Sequence, residues 1–281
     1  MLENKNIRQT MNFDLAAKAK WVWKETLRIH RRAPETRIAS SLSPIEIFVS
    51  LYYGGILSFD PKQPYLPDRD RCVISKGHGS ISMYPILADL GFFGMDELER
   101  VCETGCFLGG IPDPVIPGYE TVNGSLGHGL GVASGMALGL MRSKQPQNVF
   151  VITGDGEMHE GANWEAIMFA SHHELDNLNV IIDNNSICML GYTDDVLSHD
   201  GFSERFRAFG WSVYGVNGHD VDQLATTLSR MKQSKGAKPK LLVADTVKGR
   251  GVSNLENQPL SHVFAADQNE VSELLGGWED D

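Results

Sequence analysis

Apolar residues in this chain collect into short runs set between stretches of helical periodicity. Residues 149–153 (VFVIT) and 178–183 (LNVIID) are dominated by Val, Ile, Leu and Phe, the pattern of strands buried on both faces. Residues 71–75, 211–216 and 240–247 predict three further strands. Helical spacing is present over 13–30, with Leu15, Ala16, Trp21, Val22, Trp23 and Leu27 as its apolar positions. A second helix opens near Ser43-Pro44, a cap followed by proline at the first turn, and continues through IEIFVSLYY. Lys76-Gly77-His78-Gly79 begins another, and a helix start of this kind suits an anion. Ala162, Ala166, Phe169 and Ala170 recur at helix spacing between the two central strands, 202–209 reads as a helix, and Asp220 caps one more. Strands alternating with helices predict an α/β fold: a doubly wound parallel sheet with helices on both faces, one domain over 13–281 after a loosely held polar segment 1–12. The glycine- and proline-rich stretch 104–124 predicts a long irregular loop of the kind that carries function.

The two central strands end in polar residues. The first runs into Gly154-Asp155-Gly156 and the second into Asn184-Asn185, and open parallel sheets place ligands at such strand exits. Asp155 and Asn185 therefore lie side by side although thirty positions separate them. A carboxylate and an amide oxygen are hard ligands, suited to magnesium or calcium and not to zinc. Gly154 and Gly156 let a ligand approach the backbone and expose N–H groups to it. From Gln145 to Glu204 there is no Lys or Arg, so a diphosphate held in this turn needs a metal to neutralise it. The alternative is an acidic loop in a purely structural unit; the Asn-Asn exit of the second strand favours the metal–diphosphate reading.

Composition narrows the classes. A formal charge of −11 over 281 residues argues against nucleic acid or an anionic membrane as partner. No apolar stretch is long enough to span a bilayer, and the polar N-terminus has no secretory pattern. Cys72, Cys102, Cys106 and Cys188 form neither a CxxC pair nor a disulfide framework, which fits a reducing cytoplasm, with Cys102 and Cys106 as packing residues. The glycines of 124–131 fail as a dinucleotide fingerprint, since Val132 takes the third glycine place and no strand precedes them.

GDG followed after about thirty residues by NN resembles the fingerprint of thiamine diphosphate enzymes, and the longer phrase GDGEMHEG-x-x-WEA-x-x-FA-x-H-x-x-LDNL resembles the transketolase family in particular. Further similar phrases run from about residue 36 to 262: RCVISKGHGS, NGSLGHG, FGW-x-V-x-x-V-x-GHD and KGRGVS. The resemblance implies a thiamine diphosphate-binding fold, specifically its diphosphate-binding domain, with thiamine diphosphate and Mg2+ (Ca2+ or Mn2+ as substitutes) as cofactors. It places Asp155, Asn185 and the carbonyl of Ile187 on the metal, and Gly124, Leu126, Gly154, Gly156, Glu157 and Asn185 around the cofactor. His78 and His262 match histidines near the diphosphate and the reacting carbons, and Glu160 matches a residue coupled to the opposite active site. At the substrate positions the chain departs from the family: Arg37 and Ile111 stand where histidines are expected, and His128 takes a glutamine place. A guanidinium at 37 suits an anionic substrate group, whereas isoleucine at 111 can neither donate a hydrogen bond nor move a proton.

A complete transketolase-like chain has three domains, and 281 residues accommodate one. The expectation is thus a split enzyme: this chain as N-terminal subunit, and a second chain carrying the pyrimidine-binding domain with its activating glutamate, in an α2β2 assembly. It would transfer a two-carbon ketol unit from a ketose, a phosphorylated one by preference, to an acceptor that the sequence leaves open between an aldose and a carrier-bound thiol. Two alternatives remain: a 2-oxoacid dehydrogenase-like component serving a lipoyl carrier, and a non-catalytic regulatory subunit. The FGW-to-GHD phrase, although it has a family parallel, reads as architecture, with Asp220 capping the following helix.

Overall fold

The structure is a computed structural model that describes residues 13–122, 124–198 and 201–276. The expected loose segment 1–12 lies outside the described residues, as does Asn123. In chain order the elements are α1 (Leu15–Arg32), α2 (Ile38–Leu42), α3 (Ile45–Tyr52), β1 (Arg71–Ile74), α4 (Met83–Leu90), α5 (Gly129–Arg142), β2 (Val149–Gly154), α6 (Gly161–His172) and β3 (Leu178–Asn184). They continue with α7 (Thr193–Leu197), α8 (Phe202–Ala208), β4 (Ser212–Asn217), α9 (Val221–Gln233), β5 (Lys240–Asp245) and α10 (Gln268–Gly276). The strands form one parallel sheet in the order β1-β2-β3-β5-β4.

Alternation along the central strands explains their unbroken apolar character. Phe150, Ile152, Ile181, Leu242 and Ala244 join one core with residues of α1, α3, α4 and α9. Val149, Val151, Val180, Ile182 and Leu241 join a second core with residues of α5, α6 and α8 on the other face. With no solvent face, β2 carries one polar side chain, Thr153, and that one is buried. The architecture is the doubly wound α/β sheet with helices on both faces that the sequence predicts. Among the described residues no helix is long and apolar enough to cross a membrane.

Helix starts follow local chemistry in some places and not in others. Asp14 caps α1 by accepting from Ala17 N at 3.0 Å, and Asp220 caps α9 by accepting from Asp222 N and Gln223 N. Ser43 does not cap α3: Pro44 holds that position with no side-chain cap bond, and the Ser43 hydroxyl donates instead to Asp183 Oδ2 at 2.6 Å. The stretch between the first two expected helices itself contains α2, and residues 186–198, expected as loop, contain α7. Gly77–Gly79 is a lone 3-10 turn, with α4 starting only at Met83, so the expected helix N-terminus at Lys76 is absent.

Two buried side chains tie distant segments together, the first of them at the carboxyl edge of the sheet. Asp183, fully buried in β3, accepts from Ser43 and Lys76 on Oδ2 and from Thr246 on Oδ1. One carboxylate thus joins the α2–α3 junction and the exits of β1, β3 and β5. His30, also fully buried, joins α1 to two further segments. Its Nδ1 lies 2.8 Å from Thr36 Oγ1, whose own hydrogen goes to Ala33 O, so Nδ1 donates; Nε2 accepts from Ala266 N at 3.2 Å.

Both ties make testable demands. Lys76→Met strands a fully buried carboxylate and should cost about 3–5 kcal/mol in chemical denaturation, with part regained when Asp183→Asn is added. A loss below about 1 kcal/mol would show that the pair is dispensable. Burial pulls the His30 imidazole down to about 4 from an ordinary 6.5, with Glu35 opposing. The folded ring stays neutral while the unfolded one takes a proton below 6.5, so stability falls as pH drops from 6.5 toward 4, by on the order of 3 kcal/mol. His30→Gln keeps a donor for Thr36 and an acceptor for Ala266, and its stability should decline less over that range; an equal decline would place the effect elsewhere.

Candidate functional site

The register Gly154↔Asp183 brings Asp155 opposite the end of β3, where Asn184, Asn185 and Ser186 leave the sheet. Asp155 N donates to Asp183 O at 3.3 Å, and the Asp155 carboxylate accepts from Gly156 N at 2.7 Å and from Ser186 N. Asn185 is buried and its Oδ1 accepts from Ile187 N at 3.2 Å. Ile187 O accepts from Lys248 Nζ at 3.0 Å. A side chain at Gly156 would sit 2.7 Å from the Cys188 Cβ, so this turn admits only glycine without a shift. The structure thus brings Asp155 and Asn185 together at one edge, as the strand pattern predicts, with Ile187, named only through the family resemblance, beside them.

The charge at this edge is not what the segment's own composition suggests. Lys76 from the β1 exit and Lys248 from the β5 exit, both buried, enter a region whose connecting segment has no cation of its own. The expectation that only a metal could neutralise a diphosphate here is therefore corrected: two ammonium groups come from elsewhere in the chain. Burial pushes the Asp155 carboxyl up to about 6, reinforced by Asp183 and opposed by Gly156 N–H and Lys76. Burial and the neighbouring Lys76 pull Lys248 down to about 8, against the attraction of Asp155 and Asp183. Each charge is incompletely compensated in the protein alone.

Carboxylate, amide and carbonyl oxygens are the donor chemistry of a hard cation, and the Ile187 carbonyl already accepts from an ammonium. Among the described residues no three His, Cys, Asp or Glu are grouped to hold a metal, so a thiolate- or imidazole-rich centre does not compete. The residues present fit an oxygen-bound divalent cation with an anionic group beside Lys248.

A second cluster adjoins the first. The His78 and His262 rings meet edge to face with centroids 4.7 Å apart, and Ser40 Oγ lies 3.3 Å from His262 Nδ1. Burial, then Lys76, His262, Lys248 and Arg37, holds His78 well below the usual imidazole range. Burial with Lys248, Arg37 and Lys76 pulls His262 down to about 4. Both rings are neutral near pH 7, able to accept or pass a proton. Arg37 starts α2 with an exposed side chain whose charge acts on both rings.

The remaining candidates divide. Glu157 does not face an open ligand site: buried, it accepts from Ser75 and Gly127 N (3.0 Å) on Oε1 and from Gly154 N (3.2 Å) on Oε2. Its carboxylate fastens the 124–128 turn to the exits of β1 and β2. Leu126 is half-buried in that turn, while Gly124, with φ +121°, and His128, just before α5, are exposed. Ile111 is 49 % exposed, and a Cβ on Gly124 would lie 4.0 Å from its Cγ2. Glu160 is exposed before α6, away from the His78–His262 pair in sequence and next to Gly127, whose added Cβ would meet it at 2.5 Å. Sequence reasoning gave Ser40, Lys76, Asp183 and Lys248 no role here and Ser43 only that of a helix cap; the two lysines lie inside the KGH and KGRG phrases.

Comparison with known proteins agrees with this geometry. Residues 39–280 match the transketolase thiamine diphosphate-binding domain. The chain is 35% identical over 270 residues to one of the subunits of an apulose-4-phosphate transketolase from Actinobacillus succinogenes, covering 95% of this chain and 97% of that one. It is 35% identical over 250 residues to a 6-deoxy-6-sulfo-D-fructose transketolase subunit from a Clostridium species, covering 89% and 90%. The transketolase of Campylobacter jejuni superposes with a TM-score of 0.84 at 26% identity, covering 95% of this chain but 43% of that larger one. With the sheet order, the site at its carboxyl edge and the match over most of its length in agreement, the chain belongs to the transketolase family and corresponds to that family's thiamine diphosphate-binding domain.

Proposed function

We propose that this chain is the cofactor-binding subunit of a two-chain transketolase-like enzyme that moves a two-carbon ketol unit from an anionic ketose donor. The observation that carries the reading is the pairing of an under-compensated carboxylate, Asp155, with an under-compensated ammonium, Lys248, across the oxygens of Asn185 and Ile187. A magnesium diphosphate has both signs that this arrangement asks for. Asp155, Asn185 and the Ile187 carbonyl would hold the metal; Lys248 and the backbone of Gly154 and Gly156 would hold the diphosphate. Bound thiamine diphosphate supplies a carbanion that adds to a ketone and stores the electrons of the broken C–C bond.

The chain's own residues supply positioning and proton handling. His78 and His262, both neutral, would relay protons at the substrate oxygens. Arg37, beside them, would hold the donor's anion. Its charge suits relatives whose names specify a phosphate or a sulfo group on the donor, which favours a ketose over a 2-oxoacid. Ile111 leaves an apolar wall where a hydroxyl contact would otherwise be made. The acceptor stays open between an aldose and a carrier thiol.

A partner subunit with the pyrimidine-binding domain is supported by the relatives named as subunits. It is supported also by exposed apolar residues on segments bordering the site, Met189, Leu190 and Leu197 on one and Val263 and Phe264 on another. Co-purification of the tagged chain from its native cells should yield a stoichiometric second chain with thiamine diphosphate retained, and Asp155→Ala should abolish that retention even in excess magnesium. Full turnover by the isolated chain, or normal cofactor retention by Asp155→Ala, would overturn the proposal. Ile111→His should alter the ranking of donors by kcat/KM and leave cofactor affinity unchanged; an unchanged ranking would remove Ile111 from the substrate wall.

A further inference from the structure

His219 stands in the GHD phrase after β4, outside the site, and both its ring nitrogens are used. Val247 N donates to Nε2 at 2.8 Å, so Nε2 carries no proton; Nδ1 then carries it and donates to Glu46 Oε2 at 3.1 Å. Glu46 lies on α3, and its other oxygen is 3.8 Å from Arg250 Nη1. The ring therefore bridges α3 to the turn that follows β5.

That turn bears Lys248, and its backbone is held at successive residues. Thr246 N donates to Asn184 O at 3.0 Å, Val247 N to His219, and Gly249 N to Ala39 O at 3.0 Å, while Lys248 O accepts from Asn257 N at 3.0 Å. Trp23 Nε1 donates to Arg250 O at 2.9 Å. Gly249 has φ +71°, and a Cβ there would lie 2.6 Å from Leu255 O. Each of these backbone groups of residues 246–249 meets another backbone atom except one, the Val247 amide, which meets the His219 ring. A main chain fixed this tightly aims a long, flexible lysine whose Nζ reaches Ile187 O at 3.0 Å.

We propose that the Glu46–His219 pair is a positioning device for Lys248: it fixes the Val247 amide and through it the direction from which the lysine enters the cofactor edge. The inference rests on the reading of Lys248 as a diphosphate-binding residue. His219 touches neither substrate nor cofactor; it acts through the residue that precedes Lys248 at the β5 exit. Imidazole suits the task because one ring can accept a backbone N–H while donating to a carboxylate, and the carboxylate fixes which nitrogen does which. Glutamine can reproduce both bonds; leucine can reproduce neither.

The test is a cycle of variants in the full chain, in complex with its partner subunit where one is captured, titrated calorimetrically with magnesium thiamine diphosphate. His219→Leu should weaken binding about tenfold, as the loss of one partly buried hydrogen bond implies, and His219→Gln should restore most of it. Added to Lys248→Met, His219→Leu should cause little further loss, because the ring acts through the lysine. Hydrogen exchange should show faster labelling of the 240–251 peptide in His219→Leu while the rest of the sheet is unchanged. Full additivity with Lys248→Met, or unaltered binding by a folded His219→Leu protein, overturns the proposal. If His219→Leu does not fold, Glu46→Leu releases the ring from its carboxylate and is read the same way. Unaltered binding by Lys248→Met alone would instead sink the diphosphate role on which the inference rests.

Discussion

The carboxylate of Asp183 is the point on which the carboxyl edge depends. It sits on the central strand, fully buried, and gathers an ammonium and two hydroxyls that come from three other parts of the chain. A buried carboxylate is costly unless its lone pairs are filled, so the arrangement is nearly all or nothing: withdrawing any donor leaves a charge with poor solvation. That requirement aligns the exits of β1, β3 and β5 and the start of α3 with one another. Asp155 and Lys248, one strand away on either side of it, are fixed by association and not by mutual pairing. They are left with charge to spare, which distinguishes a binding edge from an internal salt bridge.

The fold was legible because burial on both faces leaves little room for polar residues in a strand, and five such runs alternate with helical spacing. Asp155 and Asn185 were legible for a related reason: they sit where two of those runs end, whereas Ile187 came only from the family resemblance. The lysines were not. A count of charges along residues 145–204 finds no cation, yet parallel pairing sets the exits of β1 and β5 beside β2 and β3, and each brings a lysine from outside that stretch of sequence. Charge must be summed over the neighbours in the sheet and not along the chain. Ser43 and Glu157 differ in the same way. Local rules make the first a helix cap and a motif makes the second a cofactor contact, but a buried carboxylate claims the serine hydroxyl and three donors claim the glutamate. In both, a long-range partner out-competes a local or motif-based one.

The histidines differ in spare hydrogen-bonding capacity. His30 and His219 each accept a backbone N–H on Nε2 and donate from Nδ1 to a side-chain oxygen, leaving nothing for a ligand. They are braces, one joining the segments that precede Arg37 and follow His262, the other holding the turn of Lys248. Among the described residues, neither nitrogen of His78 has a hydrogen-bond partner, and His262 has only the 3.3 Å contact of Nδ1 with Ser40. Burial by itself does not draw this line, since burial lowers the proton affinity of His30, His78 and His262 alike. The distinction is that the first ring is neutral and saturated, whereas the other two are neutral and open. An open, neutral imidazole beside a guanidinium and two ammonium groups can take up a proton only as negative charge arrives to balance it, which is what the anionic donor proposed above would supply.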